Sequence, residues 1–311
     1  MLKIRSLTKR YGRFLAVQGV DLSVESGQVY GLLGPNGSGK TTTMACALGL
    51  LEPTEGDIRV LGLPASQIHK TRGRVAALFD DATLVSGLSV KQNLEYARRL
   101  LGHTGGRSVD AALDLVGIPK LAHQRAGALS LGQARRASIA RILLGKPELV
   151  VLDEPLSGLD TVGVLEVLAL FRRLHDEGVT LLISSHRMHE LERVVSHIGI
   201  LSNGKLVKES SLDELLDGAR GRVRVLTPES ARAAEVVSRI TGLGSVEVVP
   251  TAEGGGELRI ELGSAEAGEI NRALVEAGCT VSGLIPEGVS LHDVFESMLE
   301  PQLPEALQAP S

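Results

Sequence analysis

The sequence predicts an α/β core over residues 1–217, followed by a smaller α+β domain over residues 222–311. Three observations carry this. A glycine-rich loop at residues 34–41 stands between a short apolar run and a helical one. A continuous apolar run, residues 149–152, ends in two acids. Beyond residue 222, strand-like and helix-like stretches follow in the order β-α-β-β-α-β, a ferredoxin-like arrangement.

The loop reads Gly34-Pro35-Asn36-Gly37-Ser38-Gly39-Lys40-Thr41, the pattern G-x-x-x-x-G-K-[ST] of a phosphate-binding loop. Its flanks, Gln28 to Leu33 and Thr42 to Leu48, read as a buried strand and a helix. Glycines let successive N–H groups turn toward phosphate oxygens. The helix behind adds the positive end of its dipole. Lys40 is placed to reach the outer phosphates, and the Thr41 hydroxyl to bind Mg²⁺.

Ahead of the loop, residues 2–30 alternate short apolar runs with turns, which predicts antiparallel strands. Tyr11 lies there, between Arg10 and Gly12. In a chain with three Tyr, four Phe and no Trp, it either stacks on a base or packs at a rim. After the loop, residues 55–62 read as a strand, 65–71 as a short helix and 74–79 as another strand. Asp80 and Asp81 follow, serving either a metal or a solvated turn. Residues 90–144 read as helices broken near 103–106 and at Ile118-Pro119. The last of them is announced by Ser130, with Gln133 three residues on, as in a capping box.

The run ending Leu152-Asp153-Glu154-Pro155 is a buried parallel strand whose carboxyl edge carries acids, where open α/β sheets bind ligands. Asp153 is placed to hold Mg²⁺ and Glu154 to orient or deprotonate a water. A helix over 165–177 and a strand over 179–185 bring His186 to a strand end, in reach of a terminal phosphate. Asn203-Gly204 marks a hairpin turn, and residues 212–216 a short helix capped by Ser211.

Charge separates the two halves. Residues 222–311 hold six Arg, no Lys and fourteen acids, so they carry −8, while the chain as a whole carries −4. The balance leaves no basic footprint for nucleic acid. Cys46 and Cys279 are distant in sequence and read as small buried hydrophobes of a reducing compartment. No secretory signal and no run near the roughly 20 apolar residues of a membrane span is visible. The chain is therefore expected to be soluble, or peripheral through a partner.

Together the motifs resemble the nucleotide-binding subunit of an ABC transporter, over about residues 1–217. Tyr11 matches its adenine-stacking aromatic, and residues 34–42 its Walker A segment, with Thr42 beside Thr41. Ser130-Leu131-Gly132-Gln133 matches the family signature, and residues 149–154 Walker B with the catalytic glutamate. Ser157-Gly158-Leu159-Asp160 matches the D-loop, and His186 the switch histidine. The resemblance implies a P-loop NTPase core with an antiparallel β subdomain and a helical subdomain, and an ATPase using ATP and Mg²⁺. It implies Lys40, Glu154 and His186 as catalytic groups. Nucleotide contacts then come from Tyr11, the loop, Ser130, Gly132, Gln133 and Asp160, and metal contacts from Thr41, Asp80 and Asp153.

It also implies head-to-tail pairing with a second ATPase subunit, a homodimer, so that each ATP lies between one Walker A and the other chain's signature. Integral membrane permease subunits and the cytoplasmic face of the cell membrane follow. Two positions depart from the pattern: Leu131 stands where the signature has glycine, and Asp80 where the Q-loop has Gln or Glu. Residues 290–299 read as a last helix, and the residues from Pro301 on as a frayed tail. Within that helix the stretch Ser290 to Phe295 resembles the end of ABC-2-type exporter ATPases, which points to export. The alternatives are a soluble ABC ATPase and a nucleotide-dependent regulator not coupled to transport.

Overall fold

Alternating apolar and polar residues lay down the first sheet. The computed structural model describes residues 1–79, 84–102, 106–218, 221–250, 256–263, 265–287 and 291. Strands β1 (Leu2–Tyr11) and β2 (Phe14–Val24) pair antiparallel around the Gly12-Arg13 turn. Leu2 and Ile4 point inward while Lys3 and Arg5 point out, in the two-residue period of a strand, and a register shift at Ser6, at φ 47°, turns Leu7 inward as well. Strand β3 (Val29–Leu33) is buried at every position and leads into helix α1 (Lys40–Ala47). Strands β4 (Glu55–Val60) and β5 (Leu63–Pro64) complete a four-stranded sheet in the order β2-β1-β4-β5.

The stretch Ala65–Thr71 is a 3₁₀ turn rather than an α-helix. Pro64 restricts its entry, Gln67 leaves helical angles, and Arg72 ends it at φ 51°. Strand β6 (Val75–Leu78) follows. The helical segment then holds α2 (Val90–Leu101), α3 (Val109–Leu115) and α4 (Leu131–Ile142). Ser89 and Ser108 cap the first two, and α4 carries the capping box expected of Ser130 and Gln133.

Strand β7 (Leu149–Leu152) precedes α5 (Thr161–Asp176), β8 (Thr180–Ser185), α6 (Met188–Leu191), β9 (His197–Ser202) and β10 (Lys205–Ser211). Helix α5 starts four residues ahead of the expected 165, because Asp160 caps it by accepting the Gly163 N–H at 2.8 Å. The second sheet runs β10-β9-β3-β8-β7-β6, parallel except for the β9–β10 hairpin, whose turn is Asn203-Gly204. Both turn residues have positive φ, 48° and 77°. Met44, Cys46, Leu48 and Tyr30 join residues of both sheets in one aliphatic core.

Two compact units are present, Met1–Leu212 and Asp213–Ser311. Helix α7 (Leu212–Gly218) precedes β11 (Arg222–Thr227), α8 (Ser230–Val237), β12 (Val246–Pro250), β13 (Gly256–Glu261), α9 (Ala267–Glu276) and β14 (Gly283–Glu287). The four strands pair antiparallel in the order β12-β13-β11-β14. Val223, Val225, Leu258 and Ile260 pack on Ala233, Val237, Ile270 and Leu274, with Cys279 buried beside them. Asp80 and Asp81, residues 103–105, Gly254-Gly255, the helix expected over 290–299 apart from Leu291, and the tail from Pro301 lie outside the described residues. No helix among the described residues is long and apolar enough to cross a membrane.

Candidate nucleotide site

Three adjacent parallel strands, β3, β8 and β7, end at one edge, and each delivers part of the site. Leu33 pairs with Ser185, and Leu152 with Ile183. The segments that follow these strands are therefore brought together: the glycine-rich loop, Asp153-Glu154 and His186.

Backbone geometry explains the loop's glycines. A Cβ on Gly34 would lie 2.3 Å from the Leu201 carbonyl, and one on Gly39 2.7 Å from that of Ala16. Gly39 also takes φ 104° as the residue before α1, where no side chain caps the helix. Thus no side chain caps the N–H groups that open α1 directly after the loop, the arrangement that suits an anion. Pro35, Asn36 and Gly37 are exposed at the loop tip, while the hydroxyls of Ser38 and Thr43 are buried without a hydrogen-bond partner.

Lys40 is only 5% exposed. Its ammonium donates to the carbonyls of Gly34 at 2.7 Å and Pro35 at 3.2 Å, and pairs with Glu154 Oε1 at 3.3 Å. The other Glu154 oxygen, Oε2, lies 2.9 Å from His186 Nδ1. One carboxylate therefore bridges the loop lysine and the strand-end histidine. Glu154 sits at φ 45°, a conformation that a bulky residue adopts only where its surroundings enforce it. The enforcing group is Ser184 on β8, which accepts the Glu154 N–H at 2.8 Å.

Asp153 is buried at the same edge. Its Oδ2 accepts the Thr41 hydroxyl at 2.8 Å, and its Oδ1 accepts the Ser184 hydroxyl at 2.5 Å. A threonine hydroxyl and a carboxylate in contact are hard oxygen donors of the kind that would hold Mg²⁺. Ser184 was not singled out by the sequence; the only signal was a serine pair ending a strand beside the acid-bearing one.

A second group forms around the starts of α4 and α5. Ser130 Oγ accepts the Gln133 N–H at 3.3 Å, and Gln133 Oε1 accepts the Ser130 N–H at 3.0 Å. Gly132 lies against Gly163 and Leu159: a Cβ on it would be 3.8 Å from Gly163 Cα. Arg136 and Glu166 pair between the two helices at 2.9 Å. Asp160, expected to touch nucleotide, spends its carboxylate on the α5 cap. This group is tied to the first along the chain through residues 154–160.

Tyr11 is half-exposed at the β1 end, and the Lys9 ammonium lies 5.2 Å from its ring centroid. Lys9 is itself held by the Glu52 carbonyl at 2.6 Å. Thr42, next to Thr41 in α1, is partly buried. Asp80, the remaining expected metal contact, lies outside the described residues.

The sequence compares directly with known proteins. The family model described as ABC transporter matches residues 17–157. Over 301 residues the chain is 32% identical to the bacitracin transport ATP-binding protein BcrA of Enterococcus faecalis, covering 96% of each. It is 30% identical over 303 residues to the ABC transporter ATP-binding protein YcbN of Bacillus subtilis, covering 96% of this chain and 97% of YcbN. The lantibiotic transport ATP-binding protein SrtF of Streptococcus pyogenes is 33% identical over 213 residues, 68% of this chain and 92% of SrtF. Among solved structures, a dimeric bacterial ABC transporter cassette superimposes with a TM-score of 0.62 at 26% identity, covering 68% of this chain and 99% of that one. The cassette cbiO1 of Clostridium perfringens, part of an ABC transporter complex, gives 0.63 at 27% identity, over 77% and 95%. With its phosphate loop, paired acids and signature in place, the chain belongs to the ATP-binding proteins of ABC transporters, and it is an ATPase of that family.

Proposed function

We propose that two copies of this chain close on ATP and Mg²⁺ and drive a separately encoded membrane permease from the cytoplasmic face, exporting its cargo. The observation that carries the chemistry is the shared carboxylate of Glu154, held between Lys40 and His186 at the strand edge. Lys40 and the loop N–H groups take the β- and γ-phosphates. Thr41 and Asp153 would hold Mg²⁺, which would supply positive charge beside the phosphates. Glu154 orients a water toward the γ-phosphorus and accepts its proton, while His186 fixes the carboxylate and faces the phosphate that leaves.

The other wall of each site is supplied by Ser130, Gly132 and Gln133 of the second copy. The start of α4 presents N–H groups to the γ-phosphate, so closure requires the full triphosphate and opening follows its loss. That cycle is the source of motion in the permease. The cargo is proposed to resemble that of the bacitracin and lantibiotic transport relatives, with which the chain shares at least two thirds of its length. Asp80 is retained as a proposed metal or water contact on sequence grounds alone.

The test uses the full chain. Purified wild type hydrolyses ATP only with Mg²⁺, and Glu154→Gln loses hydrolysis while ATP shifts it to a dimer on size-exclusion chromatography. Full turnover in that variant would remove Glu154 from its role. Recovery of an integral membrane protein with the tagged chain from native membranes supports the transport reading. Recovery of none would favour a soluble ATPase, and hydrolysis absent from wild type would favour a nucleotide-dependent regulator.

A further inference from the structure

The signature position that departs from its family is occupied by a side chain with a definite partner. Leu131 opens α4 and is 43% exposed, so burial alone does not account for a leucine here. Its Cδ2 stands 2.9 Å from where a Cβ on Gly158 would be. Gly158 takes φ 73°, in the left-handed region. Its conformation disfavours a side chain, and the end of Leu131 would have to shift to make room for one.

Gly158 lies in the turn that leaves the catalytic strand. Four residues earlier Glu154 takes its strained φ of 45°. The turn is pinned at Leu156 and Leu159, 1% and 7% exposed, and Asp160 ends it as the α5 cap. Between these pins Gly158 offers no side chain of its own to hold the backbone. Leu131 supplies that contact from another helix. Beside it, Gly132 meets Leu159 and Gly163, and Arg136 pairs with Glu166.

We propose that Leu131 is a positioning residue, a brace that fixes the turn after Glu154 to the start of the signature helix. The catalytic carboxylate and the α4 N-terminus then move as one body. With glycine at both 131 and 158 the two backbones would face each other without a side chain between them, and the turn would sample more conformations. Misplacing Glu154 slightly costs rate rather than nucleotide affinity, because the phosphate loop is held by other contacts. The inference rests on the role proposed above for Glu154.

The experiment compares wild type with Leu131→Gly, Leu131→Met and Glu154→Gln in the full chain. For Leu131→Gly, kcat is expected to fall about tenfold, with the affinity for a fluorescent ATP analogue within about twofold of wild type. Leu131→Met, which still reaches Gly158, is expected to recover most of kcat. Unchanged kcat in Leu131→Gly would overturn the inference, as would an equal loss in Leu131→Met. If Glu154→Gln itself keeps full turnover, the reading of Glu154 fails; if it is inactive while Leu131→Gly is not, only the brace fails.

Contact in solution is read separately by adding Gly158→Ala to wild type and to Leu131→Ala. The melting temperature lost to Gly158→Ala is expected to be smaller in the Leu131→Ala background, since only the φ strain remains. Equal losses in the two backgrounds would mean that Leu131 does not touch the turn, and would overturn the proposal.

Discussion

Ser184 joins the two acids that follow β7: its hydroxyl donates to Asp153 Oδ1 at 2.5 Å and accepts the N–H of Glu154 at 2.8 Å. Both acids therefore take their positions from a neighbouring strand rather than from their own. Ser184→Ala leaves the Glu154 N–H without its acceptor and one Asp153 oxygen without a donor. The expected cost is roughly 1–3 kcal/mol of stability, read by urea unfolding. Hydrolysis is expected to fall about tenfold. A variant with wild-type stability and rate would show that Glu154 keeps its conformation without this bond.

Lys40→Ala removes the partner of the partly buried Glu154 carboxylate and, in the proposed site, of the phosphates. Hydrolysis is expected to drop by roughly a hundredfold or more. Lys40→Arg is expected to be nearly as poor, since a planar fork cannot occupy the site of a compact ammonium that serves two carbonyls. Steady-state phosphate release decides it, and substantial activity in Lys40→Arg would count against the point-charge role.

Tyr11 offers one ring face beside a lysine already held at 5.2 Å from its centroid. Tyr11→Ala is expected to weaken ATP binding by roughly 1–3 kcal/mol, the usual worth of base stacking. Tyr11→Phe should bind like wild type. Isothermal titration of ATP against a triphosphate lacking the base separates the two: the variants should differ for ATP and coincide for the triphosphate.

In the second unit, Glu229 ties β14's approach to the start of α8. The Thr280 N–H and the Thr227 hydroxyl donate to its carboxylate, at 3.1 Å each. The Thr280 backbone bond chiefly, with the Thr227 hydroxyl adding, holds the Glu229 carboxyl below its usual value of 4.5. A depressed folded value means the contribution is complete above about pH 4.5 and is lost as pH falls through the folded value. Urea midpoints measured from neutral to acid pH should fall less steeply for Glu229→Gln than for wild type, and parallel curves would show that this carboxylate does not contribute.

What the sequence revealed follows the range of the forces involved. The phosphate loop, the Ser130–Gln133 box and the Asn203-Gly204 turn are set by residues a few positions apart, and such patterns are legible one residue at a time. The all-apolar β7 run announced a buried strand for the same reason. The α5 start was hidden because Gly163 weakens the helical pattern where Asp160 caps it. The 3₁₀ turn at residues 65–71 follows from Pro64 and the kink at Gln67 rather than from a periodicity. Ser184 and the Leu131–Gly158 contact join residues tens of positions apart, 31 between Ser184 and Asp153. They depend on strand order and helix packing, which no local pattern specifies.

The grip of Lys40 on Gly34, Pro35 and Glu154 has a consequence for what the loop accepts. Its ammonium is already satisfied by the protein, so an arriving anion enters by exchange and must displace an internal competitor. A lone orthophosphate offers one such exchange and little else. A polyphosphate chain anchors along the loop's N–H groups first and then presents its far end to Lys40 at high local concentration. In the proposed site the lysine's resting contacts would thus favour a longer polyphosphate over orthophosphate, and release of the Glu154 oxygen on exchange would free that carboxylate for water once the ligand has arrived.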